Sequence, residues 1–289
     1  MLLNKEVSEW FEYESGHAWC ESAYKYQTLP YVAEFANTVT NLPIIVLPLV
    51  NCMLLKRYIT EVNWWIVLPQ LLLTFNGLAS TYYHATLNLF GQLVDELSLV
   101  WIITVFLVVY IPVMKWFPKK FSERLLVVRW AVLIITAIIS ALCFVEPNIN
   151  AIALMIFSVP AAIVINYEGT HCGLPEIESF PRRVLILWST AFSFWFADRL
   201  LCDFWLYLGT PYLHALFHLL AGVAGYTIFI MFSIIDVDTR TGHKFTASVR
   251  YFPDKSGSIF SFPYIVLREN SEPVGIVPNF DHLEDNDDI

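Results

Sequence analysis

Long apolar stretches dominate this sequence and limit what the chain can fold into. A helix needs roughly 20 residues to cross about 30 Å of hydrocarbon. Seven stretches of this kind occur, at 33–54, 64–85, 93–114, 125–145, 149–167, 184–204 and 211–235. Only Glu146-Pro147-Asn148 separates the fourth from the fifth, so six is the alternative count. With 57% hydrophobic and 15% charged residues, the composition excludes an ordinary soluble domain. The sequence predicts an all-α membrane bundle of seven transmembrane helices.

Positive charges predict the orientation of this bundle, because Lys and Arg accumulate on the cytoplasmic side of a membrane. They cluster in alternate loops, as Lys56, Arg57, Lys115, Lys119, Lys120, Arg124, Arg182 and Arg183. The stretch before the first span is acidic instead, so we expect no cleavable signal peptide. We predict a lumenal or extracellular N-terminal segment over 1–32, a transmembrane domain over 33–235, and a cytosolic, largely disordered tail over 236–289.

Four ionisable side chains lie at the ends of apolar stretches, where such groups are costly and indicate function. His84 ends the second stretch, Asp95 begins the third, and His214 and His218 begin the seventh. In the predicted orientation all four lie near the lumenal face. His214 and His218 are four residues apart, so a helix would place both rings on one face, within reach of one metal ion. These residues predict a buried zinc site.

The chemistry of such a site explains why these residue types are needed. Zinc in a hydrolase commonly takes three protein ligands and leaves a fourth position for water. Asp95 would accept a proton from that water and later protonate a leaving amine. Ser80 lies one helical turn before His84 and would donate a hydrogen bond to a developing oxyanion. Together these residues predict metal-assisted hydrolysis of an amide or ester.

Each of these residues also has a purely structural interpretation. A histidine at a span end is often an interfacial anchor, and a serine in a membrane helix often bonds to its own backbone. Asp95 followed by Glu96 is also a favourable helix start. Asp198 would accept a hydrogen bond from a ligating histidine, or else belong to an internal ion pair with Arg199. The shared depth of residues from three separate stretches favours the zinc site.

The five cysteines form no metal-binding spacing. In the predicted topology Cys52 and Cys172 face the reducing cytosol, whereas Cys20, Cys143 and Cys202 lie near the lumenal face, where a disulfide can persist. We expect a bridge between Cys20 and Cys202, which would hold the N-terminal segment over the lumenal ends of the spans. Five free thiols are the alternative.

Five motifs, in this order, resemble the alkaline ceramidases, which are seven-span enzymes of the superfamily that also holds the adiponectin and progestin receptors. The motifs are Trp19-Cys20-Glu21, Ala33 to Asn41, Ser80 to Leu87, Gln92 to Leu97, and His214 to His218. The resemblance covers roughly residues 17–235. It implies that the membrane domain is catalytic, and that it hydrolyses ceramide to a sphingoid base and a fatty acid in an endoplasmic reticulum or Golgi membrane.

The resemblance also assigns roles to individual residues. It implies that zinc is bound by His84, His214 and His218, that Asp95 acts on the water, and that Ser80 stabilises the oxyanion. The disulfide of the family would fall on Cys20 and Cys202, the pair that the topology had already favoured.

A calcium ion near the N-terminal segment is a further implication of the resemblance. Trp19, through its carbonyl, and the carboxylates of Glu21 and Glu34 are its possible ligands. Ala18 and Ala23 stand where the family has an Asp and an Asn as ligands. What remains falls short of the six to eight oxygens that calcium prefers, so waters, Glu14 or a rearranged loop would have to complete the shell.

Two other classes of membrane protein compete with the hydrolase. A receptor of the adiponectin or progestin type would use the metal site for signalling, but its N-terminus tends to face the cytosol, contrary to the charge pattern here. A transporter or a receptor that resembles G-protein-coupled receptors leaves the shared depth of the site residues unexplained. The net charge of −9 argues against a nucleic acid as partner. Membrane lipid, as ceramide, is the partner we expect.

Overall fold

The computed structural model describes residues 7–12, 19–21, 28–110, 118, 124–146, 149–242, 244–252 and 262–270. Lys115, Lys119 and Lys120 of the predicted cytosolic loop, Glu14, Ala18 and Ala23 of the N-terminal segment, and the acidic end of the tail lie outside them.

The described residues form a mostly helical structure. Its helices are α1 (Phe35–Val39), α2 (Leu42–Leu54), α3 (Lys56–Glu61), α4 (Val67–Thr86), α5 (Leu89–Val109), α6 (Leu125–Val145), α7 (Asn150–His171), α8 (Phe180–Leu200), α9 (Cys202–Tyr207) and α10 (Leu213–Thr241). Two strands follow, β1 (Phe245–Phe252) and β2 (Phe262–Glu269), and short 3-10 turns occur at Val7–Phe11, Trp64–Ile66 and Pro175–Ile177.

Five helical stretches are long and apolar enough to cross a membrane. They are Phe35–Leu54, Leu89–Val109, Leu126–Val145, Ile152–His171 and Leu213–Thr241. The helices α4 and α8 have 20 and 21 residues, which is the required length. They fall outside this group because they carry more polar residues, among them Gln70 and Asn76 on α4 and Arg183 and Asp198 on α8. The chain is therefore a multi-pass membrane protein.

Helix α10 occupies the centre of the bundle. It packs against α8 and α2, while α4 lies between α2 and α5, and α5 also contacts α6 and α7. At Gly77 the backbones of α4 and α2 approach closely, since a Cβ there would lie 2.8 Å from the side chain of Ile45. Every residue of α10 from Tyr226 to Val237 is buried. A helix that is buried on all sides must pack against protein on all sides. The C-terminal tail supplies part of these packing contacts.

The expectation of an all-α fold is wrong for Phe245–Phe252 and Phe262–Glu269, which form strands. Disorder of the tail stays a prediction outside the described residues. The helix continues past its predicted end at residue 235 to Thr241, because Asp236 and Arg240 form an ion pair one turn apart. Gly242, with φ at +51°, ends the helix. The strands β1 and β2 then pair as an antiparallel hairpin in which Phe245 faces Glu269. The inner side chains of the hairpin, Phe245, Ala247, Ile265 and Leu267, join the main hydrophobic core.

Candidate active site

Three buried histidines meet at one end of the bundle. His84 lies in the last turn of α4, and His214 and His218 lie in the first two turns of α10. Each offers a nitrogen atom, and these atoms lie within 4.8 Å of one another. The ring centroids are 5.1 Å apart for His84 and His214, 4.9 Å for His84 and His218, and 4.5 Å for His214 and His218. The structure thus brings together three residues that the sequence predicted as metal ligands.

The hydrogen bonds of these rings leave nitrogen atoms available to a metal ion. His84 Nδ1 lies 2.6 Å from Glu34 Oε2, and His84 Nε2 is buried without a partner among the described residues. His218 Nδ1 lies 3.2 Å from the hydroxyl of Thr40, while His214 Nδ1 is buried and equally unpartnered within the described ranges. Buried polar atoms are normally satisfied, and a carboxylate behind a ligating histidine is a common arrangement in zinc sites. The three side chains fit a zinc ion.

Trp19 and Asp198 position His214. The Trp19 indole stacks on the His214 ring with centroids 3.5 Å apart, and the guanidinium of Arg199 lies 5.3 Å from the Trp19 ring. Asp198 Oδ1 accepts a hydrogen bond from the His214 backbone nitrogen at 3.2 Å, and its Oδ2 accepts one from the Cys20 backbone nitrogen at 3.0 Å. Asp198 therefore contacts the backbone of His214 and Cys20, whereas a ring nitrogen of a histidine and an ion pair with Arg199 were the two alternatives from the sequence.

The predicted disulfide is confirmed. Cys20 and Cys202 are bonded, and they join the N-terminal segment to the start of α9 across 182 residues of sequence. The remaining cysteines, Cys52, Cys143 and Cys172, are free. Because Trp19 immediately precedes Cys20, the bridge also holds the indole near His214.

Asp95 contacts α4, the helix that carries His84. Its carboxylate is hydrogen-bonded to the Ser80 side chain. Asn76 Nδ2 donates to both the backbone oxygen and Oδ1 of Asp95, at 3.1 and 3.2 Å. Asn76, Ser80 and His84 are spaced four residues apart and share one face of α4. Ser80 thus contacts the proposed acid/base residue, and its role toward an oxyanion stays a prediction.

Glu21 and Glu34, the two carboxylates considered for calcium, bind protein groups instead. Glu21 accepts hydrogen bonds from the backbone nitrogens of Ala36 at 2.7 Å and Asn37 at 2.9 Å. Burial raises the pKa of Glu21, and these two backbone hydrogen bonds oppose the rise. Glu34 accepts from the Trp19 backbone nitrogen at 2.9 Å and from Asn37 Nδ2 at 3.1 Å, in addition to its contact with His84.

These contacts weigh against a calcium site among the described residues. All four carboxyl oxygens of Glu21 and Glu34 are already hydrogen-bonded within the protein, whereas calcium prefers six to eight oxygen ligands. Calcium binding by Trp19, Glu21 and Glu34 stays a prediction. Glu34 instead belongs to the histidine site, a role that the sequence analysis missed.

Thr40 and Asn76 are two further site residues that the sequence analysis missed. Asn76 could have been found from its spacing, since it continues the four-residue series of Ser80 and His84. Thr40 and Glu34 gave no such signal. Their histidine partners lie 178 and 50 residues away along the chain, so only the packing of α1 and α2 against α4 and α10 reveals the contacts.

Comparison with known proteins identifies the family of this chain. The sequence model of the ceramidase family matches residues 11–266. The chain belongs to the ceramidase family. An alkaline ceramidase of Caenorhabditis elegans is 79% identical over 94% of this chain and 100% of its own length. An alkaline ceramidase of Drosophila melanogaster is 31% identical over 92% of this chain and 94% of its own length. Human alkaline ceramidase 1 is 29% identical over 89% of this chain and 96% of its own length.

Family membership makes this chain a hydrolase of the ceramidase class. The matched residues include all three histidines, Asp95 and Ser80, as well as both strands except for the end of β2. The class of enzyme is therefore ceramidase, and the histidine site lies within the matched residues.

Proposed function

We propose that this protein hydrolyses the N-acyl amide of ceramide to a sphingoid base and a free fatty acid, using zinc bound by His84, His214 and His218. The names of the relatives supply the substrate class. One structural observation carries the zinc dependence, namely three buried imidazoles whose ligand atoms lie within 4.8 Å of one another. The ceramidase match favours this hydrolase over the receptor alternative.

The residues around the histidines prepare the site for this reaction. A zinc ion bound by the three histidines would lower the pKa of a water molecule and polarise the amide carbonyl. Glu34 holds His84 through Nδ1, Thr40 holds His218 through Nδ1, and Trp19 fixes the plane of the His214 ring. The rings are thus oriented before any ligand arrives, which reduces the cost of binding.

Asp95 is the residue that moves the proton in this proposal. Its carboxylate accepts a proton from the attacking water and returns it to the nitrogen of the leaving amine, as general base and then general acid. Asn76 and Ser80 hold the carboxylate in place. The Ser80 hydroxyl donates to the oxyanion that develops on the former carbonyl oxygen, in exchange for its hydrogen bond to Asp95.

The membrane arrangement forms part of the same proposal. We assign seven spans, which are the five apolar stretches together with α4 and α8. The N-terminal segment lies in the lumen and the tail in the cytosol of an endoplasmic reticulum or Golgi membrane, in agreement with the positive charges of alternate loops. Ceramide is a lipid, and a site within the bundle can receive it from the bilayer.

Product analysis tests the proposed function. The purified full-length protein in lipid nanodiscs would be given ceramide with a labelled acyl chain, and both products would be measured. We expect equimolar fatty acid and sphingoid base from the native protein and very little from Asp95→Asn. Asp203→Asn, an exposed carboxylate on α9, is the matched control and should retain activity. Protein that binds zinc but releases no fatty acid from ceramide would contradict the proposal.

A further inference from the structure

The hairpin of β1 and β2 runs back along α10 to the depth of its middle. At the far end of the hairpin, the hydroxyl of Tyr226 donates to the Pro263 backbone oxygen at 2.7 Å. At its near end, Arg57 Nη1 donates to the Leu267 backbone oxygen at 3.0 Å. Tyr226 is ten residues from Asp236, or about 15 Å at the rise of an α-helix. The hairpin therefore extends well into the depth that α10 crosses.

The two faces of this hairpin differ in chemistry. The inner face is apolar and packs in the core. The outer face alternates with it and carries Thr246, Ser248, Arg250 and Phe252 from β1, with Phe262, Tyr264, Val266 and Arg268 from β2. This face holds two positive charges and no acidic side chain. Phe252 and Phe262 form its deepest pair and are 64% and 39% exposed.

An open cavity of about 550 Å³ lies on this outer face. Arg250 and Arg268 line it together with the hydroxyl groups of Ser248 and Tyr264. Both arginines are exposed, and neither forms an ion pair with a described residue. Arg57, which lies beside the hairpin, differs because Glu61 neutralises it at 2.9 Å.

The depth of the cavity makes its charges significant. Backbone that is not helical is tolerated at membrane depth where it is buried in protein or lines a polar cavity. Exposed arginines at such depth extend toward the headgroups or pair with an anion. Arginine and hydroxyl groups are also the donors that recognise phosphate. The outer face thus combines a deep aromatic end with cationic groups nearer to the membrane surface.

We propose that this cavity binds the phosphate group of an anionic phospholipid from the adjacent leaflet. Arg250 and Arg268 hold the phosphate, and the Tyr264 hydroxyl donates a further hydrogen bond. The site is separate from the histidine cluster and does not depend on the proposed reaction.

Spin-labelled lipids in nanodiscs test this site. The full-length protein in phosphatidylcholine nanodiscs would receive a trace of spin-labelled phosphatidylglycerol or, in parallel, spin-labelled phosphatidylcholine. We expect a larger immobilised fraction for the anionic label. The double variant R250Q/R268Q should lose the excess immobilised fraction of the anionic label, because both charged donors to the phosphate are removed. R250K/R268K, which keeps both charges, should retain most of it.

Removing two positive charges outside the cavity distinguishes a specific lipid site from general electrostatic attraction of the anionic lipid to the protein. Lys56 and Arg182 are exposed and lie outside the cavity, so K56Q/R182Q should leave the preference for phosphatidylglycerol unchanged. An equal loss in K56Q/R182Q, or no loss in R250Q/R268Q, would overturn the proposal. Displacement of the label by inorganic phosphate at an equal concentration would also overturn it, because the ligand would then be a soluble phosphate.

Discussion

The two ends of α10 both bury polar groups, but they treat them differently. Near Thr241, Asp236 is fully buried and satisfied, since it accepts hydrogen bonds from the Tyr58 hydroxyl at 2.6 Å, Asn63 Nδ2 at 2.9 Å and Arg240 Nε at 2.9 Å. Burial and the nearby Asp236 raise the pKa of Tyr58, so this phenol stays protonated and donates. At the other end, nitrogens of His84 and His214 have no partner among the described residues.

This difference separates a structural network from a reactive site. An unsatisfied buried polar atom costs on the order of 1 to 3 kcal/mol, and a metal ion bound by the histidines would offset this cost at their nitrogen atoms. The Asp236 network fastens α3, α10 and the end of α5, because Arg240 Nη2 also donates to the Val109 backbone oxygen at 3.2 Å. At the histidine end, His84 Nε2 and His214 Nδ1 are instead available to bind a metal ion.

Removal of one histidine should give the largest effect. In His218→Ala we expect bound zinc and ceramide hydrolysis to fall together to background, because two imidazoles leave the ligand set incomplete. Metal analysis and fatty-acid release on the same sample would measure both. His171→Ala, at an exposed histidine of α7, is the control. Full activity in His218→Ala would contradict the view that one end of α10 binds a catalytic metal ion and the other is structural.

Asp95→Asn should reduce activity by about 10²- to 10⁴-fold, the usual contribution of general acid–base catalysis. We expect most of the zinc to remain, since Asp95 is not a ligand in this account. The turnover number and the zinc content would be determined in parallel. Equal losses of zinc and activity would instead make Asp95 part of the metal site.

Glu34→Gln should weaken zinc binding by about 10- to 100-fold, as expected for a residue that orients a ligating histidine. A zinc titration with a competing chelator would measure the affinity. Glu61→Gln, which alters an exposed carboxylate paired with Arg57, should leave it unchanged. An unaltered zinc affinity in Glu34→Gln would show that the 2.6 Å contact with His84 does not position the ring.

Tyr58→Phe should show the opposite behaviour to the histidine variants. It removes one donor to the buried Asp236, so we expect a loss of about 1 to 3 kcal/mol in the free energy of unfolding, with zinc content and turnover unchanged. Denaturation in mixed micelles, beside Tyr207→Phe at an 87% exposed tyrosine, would measure the difference. A selective loss of zinc would indicate that the two ends of α10 are coupled.

Calcium removal should have the smallest effect, because Glu21 and Glu34 are satisfied by protein hydrogen bonds. A chelator selective for calcium over zinc should leave both activity and the thermal unfolding midpoint unchanged. Loss of either property, restored by calcium, would show that groups beyond the described contacts complete a calcium site.

Local spacing made part of this structure readable from the sequence. The pair of His214 and His218 follows from the helical period alone, and the apolar stretches identified the long helices within a few residues. The contact of Glu34 with His84 could not be read in this way, because it joins residues 50 positions apart. The break between α1 and α2, at Thr40 and Asn41, was equally hidden inside one continuous apolar run.

The hairpin was missed for a different physical reason. The seventh apolar stretch ends at residue 235, whereas the ion pair of Asp236 and Arg240 continues α10 to Thr241. The strands β1 and β2 then alternate apolar inner residues with polar outer ones, including Arg250 and Arg268. This alternation is itself a strand signal, but the Gly, Pro and charged residues of the tail favoured disorder instead.

The most direct test of the zinc amidase is to remove and restore the metal in one sample. Fatty-acid release from labelled ceramide would be followed together with bound zinc by elemental analysis, before chelation, after chelation, and after zinc is returned. We expect release to disappear with the zinc and to recover in proportion to the zinc rebound. Undiminished release from zinc-free protein would contradict the assignment of His84, His214 and His218 as the catalytic metal site.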